Sequence, residues 1–310
     1  MATIVTRGAI SAYAMGFGKA PANQRVIFGY GYGSSPPALS MTNLVSNIGI
    51  VSTDTTGVGT GRTSLAASGY GTDKAIFGYG SSGSTPYSMT NLVSNAGVVA
   101  TDTTGVGTAR YVLAAASYGT DKAIFGYGDD NTNVVSLTNL VSNAGVVATD
   151  TTGVGTARRY LAAAVYGTDK AIFGYGSDSG GSLSMTNLVS NTGVVQSDTA
   201  GVGTARFGLA AASYGTDKAI FGYGSVPSVT AETNLVSNTG VVVLNVGGVG
   251  TARDNLAAAG YGTDKAIFGY GSTAPVVSMT NLVSNLGVVS NDTSGVGTAR
   301  SGLAAASYGI

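Results

Sequence analysis

The chain has 310 residues, 44% of them hydrophobic and 10% charged, with 15 Lys and Arg against 15 Asp and Glu and with neither Cys nor His. That balance excludes a disordered polyampholyte and leaves no net field to draw in nucleic acid. The missing Cys and His remove disulfides, thiolate and imidazole metal sites and the commonest general base, so neither metal nor other cofactor is expected.

No segment reaches the ~20 apolar residues of a bilayer span, and residues 1–8 lack the basic flank and apolar core of a signal peptide. The expectation is synthesis in the cytoplasm without a signal peptide and no membrane insertion. From the N-terminus, Thr6, Arg7 and residues 10–18 (ISAYAMGFG) read as a divergent copy of a short apolar strand, joined by residues 19–24 (KAPANQ) to the first full repeat. Residues 25–310 then hold six repeats of about 48 residues, and such a period must be read before any local element. IFGYG recurs with its Phe at Phe28, Phe77, Phe125, Phe173, Phe221 and Phe268. TNLVSN begins at Thr42, Thr90, Thr138, Thr186, Thr233 and Thr280, and GVGT(A/G)R ends on Arg62, Arg110, Arg158, Arg206, Arg253 and Arg300.

Read from Arg110, one unit gives strands over 112–118, 122–127, about 136–142 and about 146–149, each of ordinary length and bounded by Gly, Asn, Asp, Ser or Thr. The links 119–121 and 143–145 are hairpin-sized and carry the Gly or Asn that positive φ demands. A helical alternative fails, because Gly interrupts the units repeatedly and Val, Thr, Tyr and Phe favour pleated surfaces. Continuous apolar runs such as LAAA and AIFG imply strands buried on both faces.

Six such units predict an all-β, six-bladed β-propeller with four antiparallel strands per blade, in one domain over 1–310. The inner-strand pattern occurs once more after Arg300. That C-terminal copy is expected to close the ring by pairing of the chain termini, lying beside residues 26–31. Residues 1–24 would then be an extra inner-strand copy and link, free to cap an edge, to join a neighbouring subunit, or to remain as a vestige of duplication.

The order Arg, two variable positions, LAAA, short turn, KAIFGYG, variable loop, TNLVSN, turn, VV resembles the kelch repeat over nearly the whole chain. It departs from it in Gly126, Tyr127 and Gly128 at the diglycine, in Val-Ser-Asn at the Tyr-Asp position, and in lacking Trp. In its Gly, Thr and Ala content it looks closer to kelch-like repeats of bacteriophage tail-fibre and virion-associated proteins. The resemblance implies a propeller fold and a virion or extracellular assembly as the setting.

Comparison of the six units with one another shows two variable regions: the loop after FGYG and the two positions after each Arg. Both are expected on one face, and loops on a rigid scaffold are where recognition resides. The candidate binding face therefore comprises Arg62, Arg110, Arg158, Arg206, Arg253 and Arg300 with Tyr111, Tyr160, Phe207, Asp129 and Asp130. The favoured use for these arginines is nevertheless pairing within the chain, with the acidic residue of each unit, Asp54, Asp102, Asp150, Asp198 and Asp292, which the fifth unit replaces by Asn245. The Tyr of each FGYG is expected to pack against the next blade.

Every ionisable group that stands out recurs, whereas an active site is unique, so the chain is not expected to be an enzyme. A structural or adhesion module of a virion or extracellular appendage, self-assembling or multivalent, is the leading expectation, with a homo-oligomer or larger assembly and a cell-surface glycan as partners. The alternatives are a multivalent lectin and a kelch-type protein-interaction scaffold.

Overall fold

A computed structural model describes residues 24–35 and 37–309. Among these there is no helix: the chain forms six three-stranded antiparallel sheets and two short two-stranded hairpins. In the third repeat Ala114–Tyr118, Lys122–Gly126 and Thr138–Val141 lie side by side, with Phe125 flanked by Ala115 and Asn139. Small residues on the first strand leave room for the large ones on the second, where Ala123, Ile124 and Phe125 are wholly buried. The second, fourth, fifth and sixth repeats reproduce this register. In the first repeat Arg25–Gly31 pairs with Leu39–Val45 on one side and with the last strand, Ala304–Tyr308, on the other. The divergent strand copy at Thr6, Arg7 and residues 10–18 lies outside the described residues.

The regular fourth strand expected over 146–149 is not formed. In its place are two isolated bridges, Val141 to Val147 and Thr138 to Thr151. Three steps along the inner strand face four along the outer one, so one extra residue bulges between the bridges and breaks the ladder. The bulge turns the Asp150 carboxylate inward, where it accepts from Asn139 Nδ2 at 2.9 Å.

Neighbouring sheets interlock through one aromatic contact. Phe173 of the fourth sheet lies against Gly126, and its ring packs tilted by 60° against Tyr127 of the third, with centroids 5.2 Å apart. The same relation places Phe77 on Gly29 and Tyr30, and Phe28 on Gly269 and Tyr270 of the sixth sheet. Tyr127 adopts φ 65°, unfavourable for a side chain of this size, and is wholly buried there. Its ring fills the space between two sheets and its hydroxyl donates to the Val154 carbonyl at 3.1 Å. The turns are also joined: Gly119 N–H donates to Asp169 O at 2.7 Å, and the pattern runs on to Gly262 N–H on Gln24 O and Gly309 N–H on Asp73 O.

The Gly before this Tyr is fixed by close approach, since a Cβ on Gly126 would lie 2.8 Å from Phe173 Cζ. Gly126→Ala is expected to destabilise the protein by about 1–3 kcal/mol through overpacking, read as a lower midpoint in urea unfolding. An unchanged midpoint would mean that the sheets are not in this contact.

Candidate functional site

The two variable regions of each repeat meet through short bridges: Tyr111 with Asp129, Thr63 with Ser81, Arg159 with Ser177, Phe207 with Ser225 and Asp254 with Ser272. They share one face, but the arginines do not belong to its exposed surface. Arg62, Arg110, Arg158, Arg206, Arg253 and Arg300 are all 0% exposed. This corrects the expectation of a cationic ring available to a ligand, and the reason is that each guanidinium is consumed between two sheets.

Arg158 shows how. Its guanidinium lies 4.8 Å from the Tyr127 ring of the third sheet, donates to Asn187 Oδ1 of the fourth at 2.6 Å, and reaches Asp198 Oδ1 at 3.4 Å. The acidic partner thus comes from the following repeat and not from the Arg's own. Arg110 with Asp150, Arg253 with Asp292 and Arg300 with Asp54 repeat the arrangement. Burial lowers the Arg158 pKa, opposed by Tyr127 and Asp198, while burial pushes Tyr127 up to about 12 against the pull of Arg158. Asp198 also accepts from the Thr156 amide and hydroxyl at 2.9 and 2.7 Å, tying down the loop that precedes the Arg. The hub of the network is the Asn of TNLVSN. Asn187 is wholly buried and donates to Gln196 O and Asp198 while accepting from Arg158. Sequence reasoning passed over this Asn; the available signal was an amide kept in all six copies, between Thr and the apolar Leu-Val.

The fifth repeat rearranges the charge. Asn245 stands where the others have Asp, and Glu232 stands where they have Met or Leu. Asn245 Nδ2 donates to Glu232 Oε2 at 2.8 Å, so a carboxylate is kept near Arg206, moved from the outer segment to the edge of the inner strand. The Arg to Asn bond made in the other five repeats is not made between Arg206 and Asn234.

With the arginines removed, the remaining candidates cluster on one side of the variable face. Arg159 Nη1 donates to Asp129 Oδ2 at 2.7 Å and its guanidinium lies 5.9 Å from the Tyr160 ring. Tyr160 and Phe207 meet edge-on at 5.9 Å. Tyr111 is bonded to Asp129 through both backbone groups, and its hydroxyl pKa is raised by burial, then by Asp129 and Tyr160, with Arg159 opposing. Asp130 stands apart from the cluster and shapes the loop, its Oδ1 accepting from the Thr132 and Asn133 amides at 2.8 and 2.7 Å. The equivalent positions elsewhere are Thr63, Asp254 and Ser301, so among the described residues three aromatic rings and an Arg–Asp pair occur together once. Tyr111, Tyr160, Phe207 and Arg159 are all only partly buried.

A backbone rosette holds this cluster. Val112 N–H donates to Ser64 O, Tyr160 N–H to Val112 O, Gly208 N–H to Tyr160 O, Asn255 N–H to Gly208 O, Gly302 N–H to Asn255 O, and Ser64 N–H to Gly302 O. All six donors have positive φ, between 49° at Val112 and 63° at Gly208. Gly and Asn suit that conformation, whereas Val112 and Tyr160 are strained in it. The position varies in side chain but is constant in backbone, which hides it from comparison of residue types.

Two outcomes test the network. Partial burial raises Asp198 but is outweighed by the hydrogen bonds from Thr156 and Asn187 and by the charge of Arg158, so its pKa is lowered, as it is for Asp54, Asp102, Asp150 and Asp292. A depressed folded-state pKa contributes stability that is complete above the ordinary Asp value and lost as pH falls through the lowered one. The Tm should therefore hold from pH 7 to 5 and drop below about pH 4, as thermal scans would show. Glu232→Met should cost about 1–3 kcal/mol, and adding Asn245→Asp should recover most of it in a double-mutant cycle. Searched against known proteins, the chain matches no family model and no curated sequence.

Proposed function

We propose that the chain is a closed six-bladed ring serving as an adhesion module, which binds a glycan on the cluster of Tyr111, Tyr160, Phe207, Arg159 and Asp129. The ring reading is supported by contacts that recur from each sheet to the next and from the sixth to the first, and by the six-membered rosette of amides. In this reading the three strands of each sheet and its bridged outer segment together make one four-stranded blade. A binding role, not a catalytic one, is supported by the use of every recurring arginine, and of the Asp54, Asp102, Asp150, Asp198 and Asp292 carboxylates, in joining sheets.

The single observation that carries the glycan reading is the break in repetition. Among the described residues, only here do partly exposed aromatic rings lie beside a fixed guanidinium and carboxylate. Aromatic faces pack on the apolar face of a pyranose, while Arg and Asp bond its hydroxyls, and the rings lose little conformational entropy in doing so. One such cluster per ring gives a monovalent site, so avidity would come from several rings held together. A virion or extracellular appendage is the setting we propose, on the strength of the kelch-like texture of the repeats.

A glycan array probed with the full chain tests this. Binding should be weakened about tenfold or more by Tyr160→Ala and by Arg159→Ala, a loss of about 1.4 kcal/mol, and left intact by Ser301→Ala, whose repeat lies opposite Tyr160 in the rosette. Absence of glycan binding, or equal loss in all three variants, would contradict the proposal.

A further inference from the structure

The outer segment of each repeat is an edge, and an unprotected edge invites pairing with another chain. Five of the six edges carry the usual protection. Their outer segments read STDT, ATDT, ATDT, QSDT and SNDT, with no large apolar residue and an Asp at the third position. The fifth reads Val243, Leu244, Asn245, Val246. Val243, Leu244 and Val246 are 44%, 74% and 46% exposed, so the change does not serve the core.

The backbone of this edge is half used. Val243 and Val246 amides donate inward, to Leu235 and Thr233 carbonyls, and the Val241 carbonyl accepts from Ser237. The amides of Val242 and Leu244, which alternate with these along the segment, donate to no described residue. Residues 241–246 (VVVLNV) thus offer an uncharged, Pro-free, Gly-free strand edge of high β propensity.

We propose that this edge pairs antiparallel with the same edge of a second copy of the chain, joining two protomers about a two-fold axis. Charge identifies the occupant. In a two-fold antiparallel pair each segment runs beside its own copy, so the Asp carboxylates of the other repeats, turned inward but still partly exposed, would bring like charges close together, which is destabilising. The fifth repeat alone replaces that Asp by Asn245 and supplies the carboxylate for Arg206 from Glu232 on the strand edge behind. The negative charge is retained for the network but withdrawn from the outer edge. Exposed apolar residues on the turns of the next two repeats, Leu286 with Val288 and Ile48 with Ile50, extend the apolar character of the surface. The inference is independent of the glycan reading and survives its failure.

Sedimentation of the full chain over a concentration series tests the proposal. The wild type should run as a dimer that dissociates on dilution, and Leu244→Lys should run as a monomer with an unchanged circular dichroism spectrum. The equivalent change in the third repeat, Thr149→Lys, should leave the dimer intact. Should Leu244→Lys lose the native spectrum, restoring the residue types of the other repeats with Val243→Ser and Leu244→Thr provides the same readout without added charge. A wild-type monomer, or a dimer that survives these changes, would overturn the proposal. So would a monomer whose Val242 and Leu244 amides are protected from exchange, because the chain's own N-terminal residues would then cover the edge.

Discussion

Among the described residues six guanidinium groups are taken wholly out of water, and the arrangement of the sheets is set by giving each one partners. An isolated buried charge would cost far more than any single packing contact returns, so each Arg must find acceptors and a counter-charge, and removing one partner leaves the rest uncompensated. No sheet can provide all of them alone. The ring face comes from the sheet before, and the amide and carboxylate from the sheet after, as with Tyr127, Asn187 and Asp198 around Arg158. A sheet lacking a neighbour on either side would hold an unpaired charge or an unfilled Asn. The sheets are therefore stable only in company, and the apolar clusters between them gain their register from the same contacts.

That dependence separates what varies from what does not. Residues in the network and in the Phe, Gly and Tyr interlock are repeated almost without change, because an alteration on one sheet must be answered on the next. Side chains beyond it are free. The loop after FGYG and the positions after the Arg differ from repeat to repeat, held by backbone bonds that ignore side-chain identity. Here a cluster such as Tyr111, Arg159, Tyr160 and Phe207 can arise in one place without disturbing the others. The fifth repeat shows the opposite case: Asn245 alters the network itself, and Glu232 is the compensation.

Much of the fold is legible in the sequence because the period of about 48 residues reports strand number and order directly, and the burial of AIFG on both faces follows from its unbroken apolar run. Three features are not legible for physical reasons. The recurring Asp signals that the arginines are paired, but their complete burial is not legible, since long polar side chains are usually exposed, and neither is the origin of each partner in the following repeat. The outer strand reads as regular because a bulge between Thr138 to Thr151 and Val141 to Val147 is a matter of count, not composition. The aromatic cluster is scattered over about 100 residues of sequence, from Tyr111 to Phe207, and becomes a site only when the repeats are set side by side.

If sheets support one another in a closed cycle, no repeat is terminal, although two lie at the ends of the chain. Native-state hydrogen exchange on the intact protein, followed strand by strand, tests this most directly. Closure predicts that the first strands of all six sheets, Ala304–Tyr308 included, exchange together and only through global unfolding. Faster exchange at Ala304–Tyr308 and Arg25–Gly31 than at the four middle repeats would mark an open array with frayed ends and contradict the account.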